Sequence, residues 1–289
     1  MRPFTIKSLL VPLLMRPRVA QVIKWTVYLA LIVNFGVYAY DDWMVYKSVL
    51  APGAPWADRF EQFPDTIDMI AWLGLVFLLE LETYALPDEA FKGWVTKSLH
   101  VVRLACYLGI AYAAYGFTIG ALDYYDYDEI SGLTDLCQIA DQGRSLQLDI
   151  IAHEPITAEN CADFSAAPPY FQMAGELSVI DTPGLDHSRK LGWVDIANAF
   201  VWLIVVFLIE IELRMQAADR FASSALKPVR ILKTIFYGEL IFNAIIWLAT
   251  GYPIYAWDAF LWIFGFWAIE LNLAEWEQER TQELAAATQ

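Results

Sequence analysis

The chain has 289 residues, 58% of them hydrophobic and 18% charged, with a mean hydropathy of +0.40 and a formal net charge of −15. A water-soluble domain carries about a quarter charged residues, so these figures exclude that class, and disorder and coiled coil with it. With no basic surface of useful size, nucleic acid is excluded as a partner.

Residues 1–19 read as an amphipathic entry segment. Their apolar run, Ser8 to Met15, is short and broken by Pro12, and Arg16 and Arg18 follow it without a small-residue cleavage site. Crossing a hydrocarbon core takes about 20 apolar residues, and six such runs follow, at roughly 20–40, 66–86, 99–122, 193–213, 230–250 and 256–274. Residues 1–24 hold five bases (Arg2, Lys7, Arg16, Arg18, Lys24) and no acid. The connection around 80–103 holds Lys92, Lys97 and Arg103, and the one around 210–233 holds Arg214, Arg220, Lys227, Arg230 and Lys233. The long 122–190 loop sets Arg144, Arg189 and Lys190 against thirteen acids. Bases collect on the cytoplasmic side. Both termini are therefore expected in the cytoplasm and the long loop in the periplasm, with the chain in a bacterial inner membrane. Cys137 and Cys161 share that loop, where an oxidising compartment favours a disulfide between them. Cys106 falls within the third run and reads as a small packing residue.

The even runs repeat one pattern. Asp68, Trp72, Phe77, Glu80 and Glu82 in the second match Asn198, Trp202, Phe207, Glu210 and Glu212 in the fourth, and Asp258, Trp262, Trp267, Glu270 and Asn272 in the sixth. The odd runs align on Lys24, Arg103 and Lys233, each with Tyr28, Tyr107 or Tyr237 four residues on and Asn34, Ala113 or Asn243 ten residues on. Glu80 to Arg103 and Glu210 to Lys233 are both 23 residues apart. The expected fold is an all-α membrane protein of six transmembrane helices, arranged as three pseudo-repeated helical hairpins with a periplasmic loop cap. Its parts are the entry segment 1–19, hairpin 20–86, a cytoplasmic connection 87–98, and hairpin 99–213 with an acidic cap at 123–190. A connection 214–229, hairpin 230–274 and an acidic cytoplasmic tail 275–289 follow.

Charges within spans are costly and so are expected to pair or to serve a pathway. Glu80, Glu210 and Glu270 stand near the cytoplasmic ends of the even helices. Lys24, Arg103 and Lys233 stand at similar depth on the odd ones, which suggests a ring of ion pairs. Glu239 breaks the repeat, since Ala30 and Gly109 are its equivalents. With Asn34 and Asn243 it forms a candidate ion or proton site, although a carboxyl merely packed against those amides fits the sequence equally. Asp68, Asn198 and Asp258 open the even helices as outer polar positions. They read as helix caps or as the mouth of a cation path. Trp43, Trp56, Tyr124, Tyr125, Tyr127, Trp193 and Trp257 read as an interfacial aromatic belt.

The stretch Phe207-Leu-Ile-Glu210-Ile-Glu212-Leu-Arg214, with Phe77 to Glu80 as its weaker copy, resembles the second helix of voltage-sensor domains in cation channels. That resemblance implies an aromatic and an acid that receive bases from another helix, here the ladder Lys227, Arg230, Lys233. It covers about ten residues per copy, and the chain has neither a four-arginine ladder in mid-span nor a selectivity-filter loop.

The outer stretch Asp123 to Glu129 is rich in carboxylates but lacks the turn glycine of an EF-hand, so it reads as a solvated acidic face. Pro168, Pro169 and Pro183-Gly184 punctuate the loop, which is long enough to fold on its own. His100, His153 and His187 are scattered, so no metal site, cofactor or catalytic residue is expected. The function expected is an ion channel or ion-coupled transporter, and the alternative is a non-conducting scaffold or accessory subunit. The expected partners are the lipid bilayer, cations, and a second copy or another subunit of a membrane complex.

Overall fold

In hydrocarbon a backbone has only itself to bond to, so long apolar runs coil. The computed structural model describes residues 17–81, 93–217 and 223–266, and they are mostly helical. In chain order the helices are α1 (Pro17–Val49), α2 (Trp56–Glu61), α3 (Pro64–Glu80), α4 (Trp94–Asp123), α5 (Thr182–Ala217), α6 (Ser223–Ala249) and α7 (253–266). Four helical stretches are long and apolar enough to cross a membrane: Gln21–Val49, Trp94–Asp123, Thr182–Glu212 and Leu226–Ala249. The second and sixth expected spans are helical as α3 and α7, and their later ends meet residues outside the described set. Residues 1–16, 87–92 and the tail 275–289 also lie outside it.

Contacts divide the chain into two units, one of Met1–Asn34 with Ile204–Gln289 and one of Phe35–Leu203. In the second unit α3 lies against α4 through small residues. A Cβ on Gly109 would stand 3.0 Å from the Ala71 Cβ, and one on Gly74 would stand 2.7 Å from the Cys106 sulfur. Such residues let membrane helices approach closely, and Cys106, a buried free thiol, fills the space a glycine leaves. Asp42 of α1 ties the outer ends together. Its Oδ2 accepts from the Thr66 backbone N–H at 2.8 Å and the Thr66 hydroxyl at 2.6 Å, so α3, which starts on Pro64, is capped by another helix rather than by its own N-cap residue.

The cap is where the fold departs from all-α. It carries a five-stranded sheet of β1 (Asp128–Glu129), β2 (Ser145–Gln147), β3 (His153–Pro155), β4 (Tyr170–Gln172) and β5 (Ser178–Asp181), in the order β1-β4-β5-β2-β3. Only β2 and β5 pair in parallel. Leu133, Leu136, Ile139, Leu146, Ile156, Tyr170 and Val179 form its core, and the Cys137–Cys161 disulfide closes beside them. The cap's last strand runs straight into α5. Asp181 accepts the Gly184 N–H at 2.9 Å as an N-cap, so Pro183-Gly184, expected to punctuate the loop, lies in the first helical turn. The helix therefore starts at Thr182, well before the apolar run that announced it at about 193.

Several positions equivalent in the sequence repeat share their burial. Trp72, Trp202 and Trp262 are 6%, 9% and 7% exposed, while Phe77 and Phe207 face outward at 65% and 64%. Leu31, Ile110 and Leu240 are buried, as are Asn34, Ala113 and Asn243.

Candidate functional site

The first residue of the repeat pattern is a hydrogen-bond acceptor for the tryptophan four residues on, because residues i and i+4 lie one above the other on a helix. Trp72 donates its indole N–H to Asp68 Oδ1 at 3.1 Å, and Trp262 likewise donates to Asp258. In the middle copy Asn198 Oδ1 is buried without a hydrogen-bond partner among the described residues. Trp72 and Trp202 meet edge to face, with ring centroids 5.9 Å apart. Asp68 and Asp258 therefore serve neighbouring side chains, and none of the three positions caps its own helix.

Asp258 has a second donor. Asn34 Nδ2 on α1 reaches its Oδ1 at 2.9 Å across 224 residues of sequence. Both donors to Asp258 are uncharged, and among the described residues no base reaches it. Asn34 is buried, and so is Asn243, whose Nδ2 lacks a partner among the described residues. Glu239, grouped with them from sequence, is exposed on α6, so the structure does not gather the three into one buried site.

The ion pair that stands out uses Glu212, a repeat position outside the expected ring of Glu80, Glu210 and Glu270. Glu212 near the end of α5 takes Arg230 Nε at 2.7 Å on one oxygen and Lys233 Nζ at 2.6 Å on the other. The two bases are three residues apart and so share a face of α6. Lys233 and Glu212 are both buried. Lys24, Arg103, Glu80 and Glu210 are half-buried and each is engaged by a neighbour, the Lys24 ammonium lying 5.4 Å from the Trp25 ring. Glu270 lies outside the described residues. Asp195 on α5 was also missed. It is half-buried on the face that carries Asn198 and Trp202, and no hydrogen bond or ion pair holds it among the described residues.

Trp43, Trp56, Tyr125, Trp193 and Trp257 are exposed, as a belt requires. Tyr124 and Tyr127 are not, because they are tucked against the cap. Gln147 donates to the Tyr124 hydroxyl at 3.1 Å, and Tyr127 donates to Glu176 Oε2 at 3.2 Å. Burial pushes the Tyr124 phenol up to about 12, raises that of Tyr127, and raises the Glu176 carboxyl above its usual range. Burial also drives the His153 imidazole down to about 4, with its Nδ1 unpartnered. Asp126, Asp128 and Glu129 are exposed, and among the described residues no group of three or more His, Cys, Asp or Glu side chains is placed to hold a metal ion.

The helices thus carry one carboxyl held by neutral donors and, elsewhere, a carboxylate held by two cations. No protein family, curated protein or solved structure matches the chain.

Proposed function

We propose that this is a multi-pass inner-membrane protein that couples ion movement to Asp258, with a proton or monovalent cation as the ion. The observation that carries the reading is the company Asp258 keeps. A carboxylate fixed by two bases stays charged. One held by Asn34 and Trp262 has donors that stabilise it without neutralising it, so a proton or cation can come and go. The six-span plan of three hairpins is supported by the matched burial of the repeat positions. The cytoplasmic placement of both termini, and the periplasmic placement of the cap, are supported by the clustering of bases and by the disulfide in the cap.

Glu212 receiving two bases from α6 is what the likeness to voltage-sensor helices implies for an acid. Phe207, however, faces outward rather than over the pair, so we read Glu212 as an anchor and not as a charge-transfer centre.

The test is flux in proteoliposomes loaded with a pH dye and challenged in turn with proton, sodium and potassium gradients. Asp258→Asn, which keeps the shape but cannot ionise, is expected to cut the flux by about tenfold or more, the effect of losing a titrating relay group. Flux that Asp258→Asn leaves unchanged would remove this residue, and a wild-type chain that passes none of the three ions would favour the scaffold.

A further inference from the structure

Glu239 lies 13 residues from the start and 10 from the end of the apolar stretch Leu226–Ala249, so it sits near the middle of that stretch. At 1.5 Å per residue those ends are about 20 and 15 Å away, beyond the reach of a glutamate side chain, and snorkelling cannot bring its carboxyl to water. Yet the residue is exposed, among the outward-facing Ile235, Phe242 and Ile245. No hydrogen bond or ion pair holds it among the described residues. A charge left facing lipid at such a depth costs at least a few kcal/mol. Beside it, Gly238 leaves the backbone bare, and a Cβ there would meet nothing within 4 Å. A small residue next to a polar one is how membrane helices admit a neighbour closely and hydrogen-bond to it.

From this geometry we infer that the outward face of α6 around Glu239 docks a transmembrane helix of a different protein, one that presents a lysine, arginine or histidine in mid-span. Charge complementarity selects that occupant over a second copy of this chain. The bases of α6 itself are Lys227, Arg230 and Lys233, all at its beginning. Lys24 and Arg103 align with Lys233 in the sequence repeat, six residues before Ala30 and Gly109, the equivalents of Glu239. A copy inserted in the same orientation therefore brings no base to the carboxylate. This docking is independent of ion movement at Asp258.

The experiment places a photo-crosslinking amino acid at Ile235 or at Phe242 of the full chain in membranes of the source cell, with Leu104 on α4 as an outward-facing control. The expected result is one crosslinked protein from the α6 positions and none from Leu104. Its sequence should contain a mid-span base, and the yield should fall about tenfold in Glu239→Leu. Glu239→Lys combined with a glutamate at the partner's base should restore the yield, which a misfolded variant would not do. Crosslinks to lipid alone, to a second copy of this chain, or to a partner without a mid-span base would each overturn the proposal. So would a yield that Glu239→Leu leaves unchanged.

Discussion

The cap and the meeting point of α5 and α6 bury titratable groups under opposite rules. In the cap, His153, Tyr124, Tyr127 and Glu176 are pushed towards their neutral forms chiefly by burial, and the hydrogen bonds of the two tyrosines go to an amide and a carboxyl rather than to a base. At the end of α5, Glu212 remains a carboxylate because two cations divide its oxygens between them. Burial alone does not decide whether a group is charged. The presence of a matched partner does, and the penalty for a mistake differs accordingly.

The largest effect is expected where a charge loses its partner. Glu212→Gln takes from the buried Lys233 the carboxylate 2.6 Å away, a loss of about 3–5 kcal/mol. Thermal or denaturant unfolding in detergent or nanodiscs reads this loss. A change below about 1 kcal/mol would mean that Lys233 finds another acid. Replacing Glu212, Arg230 and Lys233 together by Leu, Met and Met should recover most of the loss, because no charge is then left alone.

The cap should respond to pH instead. His153 is neutral when folded and titrates near 6.5 when unfolded, so nothing changes above that value. As pH falls from about 6.5 to about 4, the unfolded chain takes up a proton that the folded one refuses, and stability drops by up to ~3 kcal/mol. Glu176 works in the other direction, because its raised carboxyl favours the fold as it gains a proton. The comparison that isolates His153 is therefore wild type against His153→Gln at pH 7 and pH 5. The two should agree more closely at pH 7, with the wild type losing more at pH 5. Equal losses at pH 5 would mean that the imidazole is solvated.

The smallest effect belongs to a neutral pair. Trp72→Phe removes one hydrogen bond to Asp68 and part of the edge contact with Trp202, about 1–2 kcal/mol in all. A loss of 4 kcal/mol or more would show that the tryptophans hold more of the bundle than their pairwise contacts imply.

Much of this arrangement could be read from the chain before any coordinates. Four of the six apolar runs are helices of crossing length, since length and hydropathy are sufficient there. The disulfide was expected from two cysteines sharing one loop on the side read as oxidising. The polar residue and the tryptophan four places on were visible as a repeat, but the hydrogen bond that gives the spacing its meaning was not recognised. Strands of two to four residues are too short to show an alternating pattern, so the cap's sheet was invisible. Glu210 and Glu212 are two residues apart and lie on nearly opposite sides of a helix, so pattern alone could not say which of them would meet Arg230. Nor could it show that Asn34 finds Asp258, or that Asp42 caps a helix other than its own, because these partners are distant in sequence. Glu239 was legible as an oddity, but the direction it faces depends on packing.

The last turn of α1 carries a further consequence. Its final carbonyls, which no helix can satisfy internally, are taken by the cap: Leu177 donates its N–H to Val49 at 2.8 Å, the Ser145 hydroxyl donates to Ser48 at 2.8 Å, and Leu50 forms a bridge with Glu176. A helix terminus and a sheet margin, each normally prone to fraying, are thus spliced into a single cooperative element. Deuterium should enter the amides of 46–50 and 176–179 at one shared rate, so that a tug on the cap is felt as a tug on α1.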